Sequence, residues 1–135
     1  MPTVKSSYLG KLRTEMEHVA SGSKVLTDAP VDNHGRGEAF SPTDLVAAAL
    51  GSCMVTIMGI VAERDGVQLD GMHWEVEKVM ASDPRRIAEI RLNIFWPEAA
   101  DLDAKFIDKL KRAAKTCPVA LSLDPALKQE VTFHF

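Results

Sequence analysis

The chain has 135 residues, of which 46% are hydrophobic, with a formal net charge of −3 and a pI near 5.8. This length favours one domain over residues 1–135, with enough apolar side chains for a core. The mild negative charge gives no electrostatic reason to expect nucleic acid or an anionic membrane as a partner. Because the N-terminus lacks the apolar stretch of a signal peptide, we expect a cytoplasmic protein whose two cysteines are thiols.

The first part of the chain alternates between apolar and charged residues. From Tyr8 to His18 small or apolar residues fall on one side and charged residues on the other, which predicts one half-exposed strand. A turn at Ala20–Ser23 is predicted to lead into a returning strand, Lys24–Thr27. The polar, glycine-containing stretch Asp28–Phe40 follows as a loop.

The longest predicted element is a helix from Pro42 to Asp65. Ser41 suits the N-cap, Asp44 completes a capping box, and Gly66 suits the left-handed position after the last turn. The residues between these ends are almost all apolar or small, so we expect the helix to lie buried at the centre of the fold.

The same helix could be mistaken for a membrane span. Its apolar run from Leu45 to Ala62 reaches only the lower length limit for crossing a bilayer. The run is rich in Ala, Gly, Ser and Thr, and the rest of the chain has the composition of a soluble protein. We therefore expect no membrane partner.

The remaining elements are predicted from alternation, helical spacing and proline positions. They are strands at Met72–Met80 and Ile87–Trp96, an amphipathic helix at Leu102–Lys115, a short helix at Pro118–Leu123 and a terminal strand at Val131–Phe135. The order is ββαββααβ. Because the strands come mostly in adjacent pairs, the sequence predicts an α+β fold with antiparallel sheets around the buried helix.

Cys53 lies in the middle of the long helix, far from its N-terminus. The helix dipole fades after the first turn, and apolar neighbours raise a thiol pKa. If Cys53 is a nucleophile, a cation must therefore reach it from another segment. The alternative is a buried cysteine that packs as a small hydrophobic residue.

Cys117 has a different context because Pro118 follows it. Proline disfavours helical geometry at the preceding residue and suits the first position of a helix. Cys117 is therefore expected at a helix N-terminus, where the dipole favours the thiolate. A buried structural cysteine is the alternative here as well.

Two segments together resemble the OsmC/Ohr family of osmotically inducible and organic hydroperoxide resistance proteins. They are SPTDLVAAALGSCM at Ser41–Met54 and TCPVALSL at Thr116–Leu123. The resemblance implies an intertwined homodimer with the long helices buried centrally and active sites at the subunit interface. It also implies a cysteine-based peroxidase acting on organic hydroperoxides, without a metal or other bound cofactor.

The resemblance assigns roles to both cysteines. Cys53 corresponds to the peroxidatic cysteine, whose thiolate attacks the peroxide and becomes a sulfenic acid. Cys117 corresponds to the resolving cysteine, which condenses with it to a disulfide. An external dithiol, such as a lipoyl group, restores both thiols.

The family also uses an arginine from the first strand region to hold the peroxidatic thiolate. Arg13 matches that position best, and Arg36 in the loop before the helix is the competitor. The hydroperoxide resistance branch pairs its arginine with a glutamate directly after the helix proline. That position is Thr43 here, and the next residue, Asp44, is explained as a helix cap. The arginine–carboxylate pair of that branch is therefore expected to be absent or rebuilt.

A second class of function fits the same sequence. The protein could be a non-enzymatic dimer that binds a small apolar molecule or senses oxidants through its cysteines. The four histidines show no metal-ligand spacing with either cysteine, so no metal site is expected. Consumption of a hydroperoxide with loss of two thiols would distinguish the enzyme from the binding protein.

Overall fold

Six strands, three α-helices and one short 3₁₀ helix form in residues 1–97 and 102–134, which the computed structural model describes. In chain order they are β1 (Val4–Gly10), β2 (Arg13–His18), β3 (Lys24–Asp28), the 3₁₀ helix (Val31–Asn33), α1 (Pro42–Arg64), β4 (His73–Ala81), β5 (Arg86–Phe95), α2 (Ala104–Ala114), α3 (Pro118–Ser122) and β6 (Lys128–His134). The predicted α+β class is confirmed. The chain forms two compact units, Met1–Val46 and Ala47–Phe135.

The first unit contains an antiparallel sheet in the order β1-β2-β3. The prediction of one strand over Tyr8–His18 is wrong, because a two-residue turn at Lys11 and Leu12 divides it. Both turn residues have positive φ, as a tight hairpin requires. Tyr8 faces Thr14, and both are even-numbered, so the alternation continues unbroken through the turn. The pattern therefore could not show the reversal.

The beginning of α1 has the predicted capping box. The Ser41 Oγ accepts a hydrogen bond from the Asp44 N–H at 3.1 Å, and the Asp44 carboxylate accepts one from the Ser41 N–H at 3.0 Å. These two bonds satisfy backbone donors that the first helical turn leaves without partners. Asp44 is thus a capping residue, as the sequence indicated.

The end of α1 also follows the prediction, within one residue. Gly66 adopts a left-handed φ of 71°. The Val67 N–H donates to the Ala62 carbonyl at 2.8 Å, and the Gly66 N–H donates to the Glu63 carbonyl at 3.1 Å. This pair of bonds is a Schellman motif, which fixes where the helix stops and the chain turns away.

The second unit contains a sheet in the order β4-β5-β6. The predicted β4–β5 hairpin is antiparallel, as expected. The expectation of antiparallel pairing fails for β6, which runs parallel to β5 from Glu89↔Lys128 to Phe95↔His134. A parallel neighbour requires a long crossover connection, and here α2 and α3 lie in that connection. Phe135, the predicted last residue of this strand, lies outside the described residues.

One face of α1 packs into the core of the second unit. Its buried residues recur at helical spacing, at Ala47, Leu50, Gly51, Met54, Met58 and Ala62. They belong to one hydrophobic cluster with Ile90, Leu92 and Ile94 of β5, with Leu110 and Ala114 of α2, and with Cys117. Burying each large aliphatic side chain contributes about 1.5–3 kcal/mol, so this cluster fixes the position of α1 on the sheet.

The opposite face of α1 is open to solvent within the chain. Ala49, Ser52, Thr56 and Ile60 are exposed, which differs from a helix buried on all sides. By length and composition alone α1 could span a membrane, and 33% of its most apolar window is buried. A core helix of a soluble protein passes the same test, so this property does not identify a membrane span.

Candidate active site: two thiols and an arginine–aspartate pair

Cys117 is the N-cap residue of α3. Its backbone is extended, and Pro118 occupies the first helical turn, as the sequence predicted. The Cys117 Sγ accepts a hydrogen bond from the Ala120 N–H at 3.2 Å. The residue is 0% exposed and belongs to the hydrophobic core of the second unit.

Burial decides the protonation of this thiol. Removal from water raises the pKa of Cys117 above its ordinary value, and this outweighs the hydrogen bond from the Ala120 N–H, which lowers it. The expectation that the start of the helix would favour a thiolate at Cys117 is therefore wrong. The Ala120 N–H in the first turn of α3 gives the Cys117 sulfur one hydrogen bond. This bond does not compensate for the loss of contact with water.

Cys53 and Cys117 lie next to each other in the second unit. Cys53 packs against the core cluster that contains Cys117, and its thiol is close enough to raise the pKa of Cys117 further. Both residues are free cysteines, and Cys53 is half-buried whereas Cys117 is fully buried. Two neighbouring thiols, only one of them partly accessible, can form a disulfide after oxidation of the accessible one.

Arg13 makes a bidentate pair with a residue that the sequence interpretation did not select. Its Nε donates to the Asp28 Oδ1 at 2.7 Å and its Nη2 donates to the Asp28 Oδ2 at 2.8 Å. Asp28 is 0% exposed, and the Arg13 side chain is 20% exposed. The Glu38 carboxylate is farther away, 3.9 Å from Nη2.

Each residue of this pair stabilises the charged form of the other. The hydrogen bonds from Arg13 hold the pKa of Asp28 below its usual value, although burial acts against this. The carboxylate in turn raises the pKa of Arg13. The exposed Arg36 also lowers the pKa of Asp28 through its charge, so both arginines considered from the sequence act on the same carboxylate.

Strand register could have revealed Asp28. It faces Arg13 directly across the β2–β3 pair. The sequence predicted the turn and the returning strand, but the predicted strand ended at Thr27, one residue before its observed end at Asp28. Extending the antiparallel register by one residue would have placed an opposite charge beside Arg13.

The three residues predicted for catalysis are thus distributed over both units. Cys53 and Cys117 come together in the second unit, and Arg13 lies in the first. The role of Arg13 toward a Cys53 thiolate stays a prediction. Thr43, which occupies the glutamate position of the hydroperoxide resistance branch, places its Oγ1 3.2 Å from the Ser41 Oγ at the helix start.

Comparison with known proteins shows the family of this chain. The sequence model of the family described as OsmC-like protein matches residues 35–132. The chain belongs to the OsmC-like family. Proteins of this family are generally soluble and oligomeric. The known members point to a peroxidase-like activity in the family.

Solved OsmC-like structures extend the match over almost the whole chain. A candidate osmotic stress induced and detoxification response protein from Psychrobacter arcticus 273-4 is 48% identical, with a TM-score of 0.95 over 99% of this chain and 96% of that one. The organic hydroperoxide resistance protein OsmC of Legionella pneumophila shares the fold at 17% identity, with a TM-score of 0.77 over 100% and 98% of the two chains. An organic hydroperoxide resistance protein from Elizabethkingia anophelis does so at 13% identity, with a TM-score of 0.75 over 99% and 96%. No curated protein is significantly similar to the chain.

Proposed function

We propose that this OsmC-like protein is a thiol-dependent peroxidase that reduces organic hydroperoxides, and hydrogen peroxide as a second substrate, in defence against oxidative stress. The observation that carries the proposal is the proximity of two free thiols, one partly accessible and one buried. Membership of a family that includes organic hydroperoxide resistance proteins supports it.

The half-buried Cys53 is the attacking thiol in this mechanism. Its thiolate attacks the terminal peroxide oxygen, the O–O bond breaks, and the alkoxide leaves and takes up a proton to become the alcohol. Cys53 is thereby oxidised to a sulfenic acid. The buried Cys117, whose thiol keeps its proton, can donate a hydrogen bond to the Cys53 sulfur before the attack.

Cys117 then resolves the sulfenic acid. Its sulfur bonds to the Cys53 sulfur, the sulfenic hydroxyl leaves, and the thiol proton completes a molecule of water. An external dithiol, for example a lipoyl group, reduces the disulfide by thiol exchange and is itself oxidised. The cycle requires no metal or other bound cofactor.

Arg13 supplies the cation that the attacking thiolate needs. A mid-helix thiolate gains little from the helix dipole, so an external positive charge must stabilise it. The guanidinium can donate to sulfur and to a peroxide oxygen at the same time because its donors form a planar fork. The bidentate pair with Asp28 supports this role, since it holds the guanidinium in one orientation.

The functional form is a cytoplasmic homodimer. The exposed face of α1, formed by the uncharged residues Ala49, Ser52, Thr56 and Ile60, supports this because a second copy would cover it.

Peroxide titration tests the proposed function. Fully reduced protein is mixed with one equivalent of cumene hydroperoxide, and free thiols, cumyl alcohol and peptide crosslinks are measured. The peroxidase predicts one alcohol per chain, loss of two thiols and a Cys53–Cys117 crosslinked peptide within a chain. A binding or sensing protein would show no sustained peroxide consumption when a dithiol such as dihydrolipoamide is supplied.

A further inference from the structure

A buried carboxylate holds one edge of the Arg13 guanidinium. We propose that Asp28 is a positioning residue for the peroxidase reaction, acting through Arg13. The inference deepens the proposed function and rests on the role given there to Arg13. It is argued from the geometry of β2, β3 and the loop that follows them, all within the first unit.

The two hydrogen bonds from Arg13 fix which donors remain available. They use Nε–H and one Nη2–H, which form one edge of the planar guanidinium. Arginine has five N–H donors, so three others remain, including both on Nη1. These are the donors that the pair with Asp28 leaves for a thiolate and a peroxide oxygen in the proposed reaction.

Asp28 is itself held from several sides. Its Oδ2 accepts a further hydrogen bond from the Glu38 N–H at 3.1 Å, and its own N–H donates to the Phe40 carbonyl at 3.0 Å. The carboxylate therefore joins β2, β3 and the returning end of the loop. A guanidinium bound at two points to such an anchor has little freedom to rotate.

The pair combines a buried acceptor with a partly accessible donor. Asp28 is 0% exposed, whereas the Arg13 side chain is 20% exposed. The hydrogen bonds from Arg13 outweigh the desolvation of the carboxylate, so Asp28 stays ionised beside the guanidinium. The pair therefore fixes the guanidinium and leaves part of it open to other groups.

A double-mutant cycle tests the inference. Asp28→Asn and Glu38→Gln are made in the native chain, and Asp28→Asn also in an Arg13→Ala background. Glu38→Gln is the matched control because that side chain is exposed and 3.9 Å from Nη2. The second-order rate of cumene hydroperoxide reduction is measured against pH, together with the pH profile of Cys53 alkylation and the melting temperature.

We expect Asp28→Asn to lower the rate plateau at high pH by roughly ten- to hundredfold, the range expected when a catalytic group is misplaced. In the Arg13→Ala background the same change should have no further effect, whereas a purely structural role would leave an additive loss. If Asp28→Asn does not fold, Asp28→Glu keeps the charge but displaces the guanidinium by one methylene. It should lower the same plateau when the rate is measured well below its melting temperature.

Different outcomes overturn different claims. Native rates in both Asp28 variants, beside a slow Arg13→Ala, would overturn this inference and leave the role of Arg13 intact. An undiminished effect of Asp28→Asn in the Arg13→Ala background would overturn it as well. A native rate in Arg13→Ala would overturn both the role of Arg13 and this inference. Failure of the wild-type protein to consume peroxide would overturn the proposed function itself.

Discussion

Trp74 of β4 packs directly on Gly51 of α1. A β-carbon added at Gly51 would come within 2.3 Å of the Trp74 ring, closer than real β-carbons approach any atom. The helix thus contacts the sheet through a position that has no side chain, two residues before Cys53. This close contact sets the depth of the cysteine in the core, because α1 is a continuous helix through both positions.

Replacing this glycine should destabilise the protein. Gly51→Ala forces the indole or the helix to move, and overpacking of this kind costs about 1–3 kcal/mol. The same substitution in a Trp74→Leu background is the control, because the smaller side chain leaves room for the added β-carbon. Gly51→Ala should therefore destabilise that background less than the native chain. Urea unfolding of the reduced proteins at equal concentration measures both, and an equal loss in the two backgrounds would contradict the packing argument.

The two cysteines should have separable roles. Cys53→Ser should abolish the reaction with hydroperoxide. Cys117→Ser should still consume one equivalent, stop at the sulfenic acid and proceed to sulfinic acid with excess oxidant, because no thiol is left to resolve it. Mass spectrometry after a peroxide titration distinguishes these products. A reactive Cys53→Ser beside an inert Cys117→Ser would reverse the assignment.

Arg13 should matter more than Arg36. Arg13→Ala should raise the pH needed to alkylate Cys53 and slow peroxide reduction by on the order of a hundredfold or more. Arg13→Lys should recover only part of the rate, since lysine keeps the charge without the fork. Arg36→Ala is the control, because Arg36 is exposed on the loop. A damaging Arg36→Ala with a silent Arg13→Ala would assign the cation to the loop.

The stability of the reduced protein should decrease at alkaline pH through Cys117. Burial raises the pKa of this thiol in the folded state, so above the unfolded-state value of about 8.5 the unfolded chain loses the proton first. The contribution is fully present below that pH and is lost as pH rises toward the folded pKa. Urea unfolding of wild type and Cys117→Ala between pH 7 and 10 should show a steeper decline for wild type. Parallel curves would mean that Cys117 does not titrate differently in the two states.

The exposed face of α1 should form the subunit contact. Light scattering should give twice the chain mass at micromolar concentration. Ile60→Arg places a charge on this face and should shift the protein toward monomer. Thr132→Arg is the control, because Thr132 is exposed on β6 rather than on α1. A monomeric wild type, or an Ile60→Arg variant that remains a dimer, would place the contact elsewhere or remove it.

Local signals predicted the elements that depend on local chemistry. The capping box at Ser41, the left-handed Gly66 and the helix start after Cys117 all follow from neighbouring residues, and the structure confirms each. The turn at Lys11 and Leu12 was missed because these residues are not typical of a turn and the alternation passes through it.

Features that depend on distant residues were not predictable in the same way. The parallel pairing of β6 depends on how the helices return the chain, which no local pattern records. The proximity of Cys53 and Cys117 could be anticipated only through the family resemblance, since sequence separation says nothing about distance in the fold. Burial raises the pKa of Cys117 and the hydrogen bond at the N-cap lowers it. Which of the two dominates depends on how the core packs around the thiol, and the local sequence does not reveal this.

The position of the two cysteines has a consequence for the oxidised protein. A bond between them would join α1 to the start of α3 and enclose β4, β5 and α2 in a covalent ring. Such a ring limits the conformations of the unfolded chain, and for a loop of this length the chain-entropy estimate is about 4 kcal/mol. The protein awaiting its reductant would then resist proteolysis better than the fully reduced protein. Each catalytic cycle would alternate between a disulfide-bonded form of higher stability and a reduced form of lower stability.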